Sequence, residues 1–120
     1  MESEILNNGE FRRYTHQIKL GFVGIKGQEK IKKSKVLVIG AGGKGTAVLQ
    51  NLVIAGVGKM GISDNLPVED KSLSKQSFYG NSDIGKQKAI IARYKLAELN
   101  RFVDFELHNI RVDKKNILDI

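Results

Sequence analysis

The sequence predicts an α/β protein, the N-terminal half of a doubly wound, mainly parallel sheet preceded by short helices. Three observations predict it. Val36-Leu37-Val38-Ile39 is a run of β-prone apolar residues, the pattern of a strand buried on both faces of a parallel sheet. It leads directly into Gly40-Ala41-Gly42-Gly43-Lys44-Gly45, a glycine-rich turn that opens an apolar helix carrying Val48, Leu49, Leu52, Val53 and Ile54. That helix stops at Gly56-Val57-Gly58, and a second short strand from Lys59 ends on a carboxylate, Asp64. Together these make a βαβ unit with G-x-G-x-x-G at Gly40, Gly42 and Gly45.

The parts of this unit have separate physical tasks. Gly40 permits the tight turn, Gly42 lets the backbone approach a phosphate, and Gly45 lets the helix lie close to the strand. The free N–H groups and positive dipole end at a helix start favour an anion there. Asp64 follows the first glycine by 24 residues, near the ~20 expected of a ribose-binding carboxylate. Two readings stand: a mononucleotide site, or a glycine turn that serves packing alone with Asp64 as a turn cap. The loop is not a Walker A motif, because Lys44 is followed by Gly45 and not by Ser or Thr.

A chain of 120 residues makes at most one domain, and 41% hydrophobic with 28% charged residues is a globular composition. With no cysteine, disulfides, zinc–thiolate sites and a cysteine nucleophile are excluded within these residues, and no metal ligand set is expected in them. No apolar run approaches the ~20 residues a bilayer requires, so no membrane partner is expected. The acidic Met1-Glu2-Ser3-Glu4 start lacks a signal-peptide core, which makes the cytoplasm the expected compartment. The net charge of +7 comes from lysines spread along the chain, a solvated surface and not a nucleic-acid footprint; attraction of an acidic protein or a polyphosphate is the other use of such charge.

In chain order, residues 1–10 read as loosely ordered and Glu10 to Gln17 as a short helix. Gly21, Gly24 and Gly27 then break regular structure, and Gln28 to Lys33 forms a second short helix anchored by Ile31. Residues 1–33 are thus expected as a helical arm, and 34–120 as a nucleotide-binding half-domain. Residues 65–85 are a long connection whose Leu73, Phe78 and Tyr79 predict that it packs down. Lys86 to Leu99 reads as an amphipathic helix with an apolar stripe of Ile90, Ile91, Tyr94, Ala97 and Leu99, capped by Asp83 or Gly85 and ended by Asn100. Phe102 to Leu107 alternates as a third strand, and Asn116 is placed to cap a final helix. Three parallel strands alone leave hydrophobic edges open, so the chain is expected to be the N-terminal part of a longer one, or to dimerise.

With these residues laid out, the chain resembles the ThiF/MoeB/HesA adenylyltransferases, relatives of the ubiquitin-activating enzymes, from about Arg13 to Leu107. The family's R-Y-x-R-Q-I stands here as Arg13-Tyr14-Thr15-His16-Gln17-Ile18, followed by Gly21 and by Gly27-Gln28-Glu29-Lys30-Ile31 for G-Q-x-x-L. Its S-x-V-L-V-x-G-x-G-G-x-G is Ser34 to Gly45, its A-G-V-G is Ala55 to Gly58, and its strand-end Asp is Asp64. Its S-N-L-x-R-Q becomes Lys71-Ser72-Leu73-Ser74-Lys75-Gln76, and its D-x-G-x-x-K-A becomes Asp83 to Ala89.

The resemblance implies an enzyme that uses ATP with Mg²⁺ to adenylate the C-terminal glycine carboxylate of a ubiquitin-like sulfur-carrier protein of the molybdopterin or thiamine type, releasing pyrophosphate. It implies that Gly43 and its neighbours approach the nucleotide, that Asp64 holds the ribose hydroxyls, and that Lys75 and Lys88 hold phosphates, with Ser72 beside them. It also implies a homodimer in which the residue at position 16 reaches a partner subunit's phosphates. The catalytic candidates are therefore Lys75, Lys88 and His16; the nucleotide-binding candidates are Gly40, Gly42, Gly43, Gly45, Asp64, Ser72, Lys75 and Lys88. The family's Mg²⁺-associated Asp, its C-x-x-C zinc pairs and any catalytic cysteine lie beyond residue 120.

Four positions depart from the family pattern. Arg is replaced by His16, a residue type mostly neutral at pH 7; Arg by Lys75, which loses the bidentate fork; Asn by Ser72; and the second Asp of D-x-D by Leu66. Lys44 adds a charge inside the glycine loop where the family has an apolar residue, directed either at the triphosphate or at solvent. Two other functions stay open on these residues. One is a non-catalytic nucleotide-binding or scaffold relative. The other is an NAD-binding dehydrogenase module, supported by the glycine loop and Asp64 alone.

Overall fold

The computed structural model describes residues 3–74 and 77–120. Three strands, β1 (Lys35–Ile39), β2 (Lys59–Ser63) and β3 (Asp104–His108), form a parallel sheet in the order β1-β2-β3. Val38 pairs with Ile62 and Ile62 with Leu107, so the alternate residues of all three strands share a face. Helix α4 (Gly43–Ala55) crosses from β1 to β2, and α6 (Lys88–Leu99) precedes β3. Leu49 and Val53 of α4 and Ala89, Ala92 and Leu96 of α6 bury against Met60 and Ile62, with Val36, Val38, Phe105 and Leu107 packed beside them. This single layer of helices on one sheet face is the core.

The expectation that β1 is buried on both faces is corrected. Val36, Leu37 and Val38 are half-buried, Lys35 is exposed and Ile39 is 57% exposed, because β1 is an edge strand and both crossover helices serve the same face. The opposite face carries Lys35, Leu37, Lys59, Gly61, Glu106 and His108 around a hollow of about 210 Å³. There Glu106 pairs with Lys59 at 3.0 Å and with His108 at 3.4 Å, and Lys59, by hydrogen bond and charge, holds the Glu106 carboxyl below its ordinary range.

The predicted apolar stripe of α6 is also corrected. Ile90 and Tyr94 are 52% and 72% exposed, and Ala97 and Leu99 face out too, while the small Ala89 and Ala92 turn inward with Leu96. Small residues at i and i+3 let the helix lie close to α4 and the sheet, so fit outweighed hydrophobicity. The helix begins at Lys88 after N-cap Gln87, and neither Asp83 nor Gly85 caps it. Asp83 instead accepts the Gly80 N–H at 2.8 Å and pairs with Lys95 at 2.9 Å. Asn100 does stand at the helix end. Its side chain also accepts the Phe102 N–H, which turns the chain there and delays β3 to Asp104, two residues later than expected.

The connection after β2 packs down as expected. It contains α5 (Asp70–Leu73) and a 3₁₀ turn at Asn81–Asp83, and buries Val68 and Tyr79. Residues 3–10, expected to be loose, are ordered: Leu6 is buried, and Asn7 and Glu10 form a capping box at the start of α1 (Asn8–Arg13). Glu10, 1% exposed, also pairs with Lys32. The glycines at 24 and 27 do not break structure but lie within α3 (Gly24–Lys33), whose first residue has φ +63°. Asn116 stands at the N-cap position of a short 3₁₀ turn, Ile117–Asp119, but its side chain makes no capping bond and accepts the Asp113 N–H instead.

The arm is fastened to the C-terminal end of α4 by buried polar groups. Helix α4 ends at Gly56, with φ +96°, where a Cβ would lie 2.6 Å from the Tyr14 ring. Gln28, fully buried, donates to Ala55 O at 2.9 Å, and Gln17 of α2 (Thr15–Ile18) donates to the same carbonyl at 2.7 Å. Asn100 donates to Tyr14 Oη and to Val53 O, both at 2.8 Å. These side chains satisfy the carbonyls that a helix end leaves open. Replacing Asn100 with Ala removes three hydrogen bonds from a site with no exposure. Urea denaturation is expected to show a loss of about 2–3 kcal/mol.

Asp83 supplies a pH-dependent test. The Gly80 N–H, then Lys95, holds its carboxyl below the ordinary value, so its contribution is present above the unfolded pKa and lost as pH falls through the native one. Asp83→Asn is expected to cost about 1.5 kcal/mol at pH 7. In pH-dependent urea melts that difference should begin to shrink near pH ~4 and vanish below the lowered native value.

Candidate functional site

The candidate site lies at the carboxyl ends of the strands. Strand pairing continues to the turn: Gly40 N–H donates to Ser63 O at 2.7 Å, and Asp64 N–H to His108 O at 3.2 Å. Gly40, with φ +98°, then turns the chain, and Gly42 is the N-cap residue of α4. A Cβ at position 45 would lie 1.9 Å from Gly40 O, so the helix start and the strand end can meet only if residue 45 has no side chain. A Cβ at Gly42 would meet nothing within 4 Å, which leaves open space beside the turn. The first turn of α4 holds no acidic residue, and Gly43 and Lys44 in it are exposed. The positive dipole end of α4 is therefore not offset by a carboxylate within the helix's own first turn.

Asp64 meets this turn directly. Its Oδ2 accepts the Ala41 N–H at 2.8 Å and its Oδ1 accepts the Leu66 N–H at 2.8 Å. The Ala41 carbonyl accepts from Tyr79 Oη at 2.7 Å, so the fully buried Ala41 is held on both sides. Burial first, then the charges of Asp64 and Asp83, pushes the Tyr79 phenol well above its ordinary value, which keeps it a donor. Tyr79 is set in place by an edge-to-face contact with Phe78 at 5.0 Å and by Lys95, whose ammonium lies 5.8 Å from the Tyr79 ring centre. Beside the turn, a cleft of about 450 Å³ is lined by Gly40, Ser63, Asp64, Leu66 and Arg111, among others.

The structure thus brings Gly40, Gly42, Gly43, Gly45 and Asp64 to one end of the sheet. Lys88 opens α6 next to them: its N–H donates to Leu66 O at 3.1 Å, and its side chain is half-buried. Ser72 is buried in α5, and its hydroxyl accepts the Glu69 N–H at 3.2 Å, closing a capping box. Lys75 lies outside the described residues. His16 is exposed in α2 and stands apart from the turn: Tyr14, two residues earlier, abuts Gly56 at the far end of a 13-residue helix, about 20 Å away. The sequence analysis assigns no site role to Ala41, Tyr79 or Arg111; it reads Tyr79 as a group that packs the long connection down. A buried tyrosine needs a partner for its hydroxyl, and that was the available signal for Tyr79. Among the described residues, no three His, Cys, Asp or Glu side chains gather as a metal site, and no helix is long and apolar enough to cross a membrane.

Fold and site together define a Rossmann-like α/β half-domain with a glycine turn and strand-end aspartate joined at its carboxyl edge. Residues 14–120 match the ThiF family. The chain is 42% identical over 111 residues to a sulfur carrier protein adenylyltransferase of Thermus thermophilus, covering 92% of this chain and 41% of that protein. It is 37% identical over 111 residues to a probable molybdopterin-synthase adenylyltransferase of Porphyra purpurea, covering 92% of this chain and 29% of that one. The crystal structure of PaaA superposes with a TM-score of 0.83 at 29% identity, over 94% of this chain and 37% of that one. The E. coli tRNA N6-threonylcarbamoyladenosine dehydratase, solved with ATP, shares the fold with a TM-score of 0.88 at 18% identity, over 96% of this chain and 46% of that one. The chain belongs to the ThiF family, and it spans between a quarter and about two-fifths of the length of the curated relatives it matches.

Gly45→Ala tests the closure of the turn. The added methyl cannot avoid the Gly40 carbonyl without parting helix and strand. Thermal or urea unfolding should show a loss of about 2–3 kcal/mol, at the upper end of overpacking costs.

Proposed function

We propose that this chain is the nucleotide-binding half of an ATP-dependent adenylyltransferase acting on a ubiquitin-like sulfur-carrier protein in the cytoplasm. The observation that carries the proposal is the Asp64–Ala41 hydrogen bond, which brings a strand-end carboxylate against a phosphate-ready glycine turn in a chain whose relatives bear adenylyltransferase names. In this reading the N–H groups at the start of α4 receive the phosphates, and the remaining lone pairs of Asp64 receive the ribose hydroxyls, with the nucleoside in the adjoining cleft. A carrier carboxylate oxygen attacks the α-phosphorus; the bond to the bridging oxygen breaks, and pyrophosphate leaves with the electron pair. The protein has to align two anions and offset their charge.

Lys88 is suited to the phosphates by its place at the start of α6, and Lys75 by the family pattern alone. His16 is too far from the turn of its own chain to serve it, so in this reading it acts across a homodimer. Exposed apolar groups support a covered surface: Phe22 in the arm is 88% exposed, and Val48 and Ile54 on α4 are 47% and 53% exposed. Mg²⁺ accompanies ATP as a co-substrate, and the reading places no metal cage in the residues described. Further residues of the enzyme supply the carrier's main contacts and any zinc.

A second reading, a non-catalytic nucleotide-binding or scaffold relative, is favoured by two observations. The Ser72 hydroxyl is already engaged by the Glu69 N–H, and Leu66 presents an apolar side chain, 54% exposed, at the rim of the cleft. Dimerisation without ATP binding in calorimetry would select it. On the natural protein containing this chain, ATP–pyrophosphate exchange is expected to require a carrier ending in Gly-Gly; exchange indifferent to the carrier counts against adenylation. Asp64→Asn keeps an oxygen for the Ala41 N–H but weakens acceptance of the ribose. Calorimetry should show ATP affinity reduced about tenfold, the loss of one charged hydrogen bond.

A further inference from the structure

The described loop between α5 and α6 contains one buried phenol, and its position asks for an explanation. Tyr79 is 4% exposed, and its hydroxyl lies 2.7 Å from Ala41 O and 3.3 Å from Lys88 O. The first carbonyl belongs to the glycine turn and the second to the opening residue of α6. A single proton is thus placed between the two backbone segments that border the nucleotide site. Packing alone would be served by phenylalanine, and a buried hydroxyl is retained at a desolvation cost that its hydrogen bonds must offset.

The bond to Ala41 has a specific mechanical consequence. The peptide before Ala41 is held through its N–H by Asp64, and the peptide after it through its carbonyl by Tyr79. With both held, the plane of the peptide between Ala41 and Gly42 is set, and with it the direction in which the chain enters α4. A free peptide plane at a glycine can rotate, since glycine accepts most backbone conformations. The N–H groups that follow would then lose their common aim.

Tyr79 is in turn braced from behind. Lys95 donates to Phe78 O and pairs with Asp83, whose carboxylate holds the Gly80 N–H. The residues on both sides of Tyr79 are therefore tied to α6. The hydroxyl is the contact through which this brace reaches the glycine turn.

We propose that Tyr79 is a positioning residue of the nucleotide site: its hydroxyl fixes the Ala41–Gly42 peptide and the spacing between the glycine turn and Lys88, so that both address the same phosphates. The inference rests on the ATP reading above. It assigns Tyr79 an effect on phosphate recognition and none on recognition of the nucleoside, which is left to Asp64 and the cleft.

The test is isothermal titration of the natural protein containing this chain with MgATP and, separately, with adenosine, for the wild type, Tyr79→Phe and the control Tyr94→Phe, whose residue is 72% exposed. Tyr79→Phe keeps the ring and removes only the oxygen. The expected result is an ATP affinity reduced about tenfold with adenosine affinity within a factor of two, and no change in the control. A purely structural tyrosine would lower the melting temperature and leave the ratio of ATP to adenosine affinity unchanged, which overturns the proposal. Equal losses for both ligands overturn it as well, since they report a general loosening. Wild-type protein that binds neither ligand defeats the ATP reading and this inference together, whereas wild-type binding that Tyr79→Phe leaves intact defeats this inference alone.

Discussion

Where α4 begins, its first turn lies against the end of β1 at a separation that admits no side chain: any Cβ on residue 45 would collide with the Gly40 carbonyl oxygen. This contact sets the angle at which the helix leaves the sheet. It therefore decides where the helix N-terminus points, how closely Leu49 and Val53 approach Met60 and Ile62, and how much room stands beside Gly42. The carboxyl edge of a parallel sheet is where such folds take ligands, because the strand ends and helix starts leave polar backbone facing a shared crevice. Here Asp64 and Tyr79 occupy the two sides of the Ala41 peptide at that edge.

The other end of α4 is governed by a different constraint. Among its last carbonyls, Ala55 O takes donors from Gln17 and Gln28 of the arm, and Val53 O takes one from Asn100 at the end of α6. Gly56 and Gly58 have the same origin as Gly45: a Cβ at residue 58 would lie 1.8 Å from Lys32 O. The R-Y-x-x-Q segment and the glutamine of the G-Q pair thus do structural work within this chain, closing a helix end. His16 is carried on the same arm and is exposed. One helix consequently links two polar constructions, an open glycine turn at its start and an end closed by side-chain donors.

The sheet is covered by helices on one face. On the other, Lys35, Lys59, Glu106 and His108 surround a hollow above Gly61, and the edge strand β1 ends in an exposed isoleucine. A doubly wound sheet is normally covered on both faces. The chain also spans 41% of the Thermus thermophilus relative and 29% of the Porphyra purpurea one. The long connection buries Val68 and Tyr79 and joins Tyr79 to the glycine turn and to Lys88 O, with Asp83 and Lys95 as a brace.

The order of elements, the glycine turn and the strand-end aspartate were legible in the sequence because each depends on neighbours in the chain. A strand period, a residue lacking Cβ and a helix start are short-range properties. Residues 40, 42, 45 and 64 could therefore be named before any coordinates. Tertiary structure alone decided what depends on distant partners. It chose Ala89, Ala92 and Leu96 over Ile90 and Tyr94 as the inner face of α6, because closeness to α4 and the sheet mattered more than side-chain size. It took Asp83 from a helix cap to a lysine pair, left β1 half-open for want of a second layer, and joined Tyr79 to a carbonyl 38 residues away. Such pairings are set by three-dimensional proximity, which local pattern does not encode.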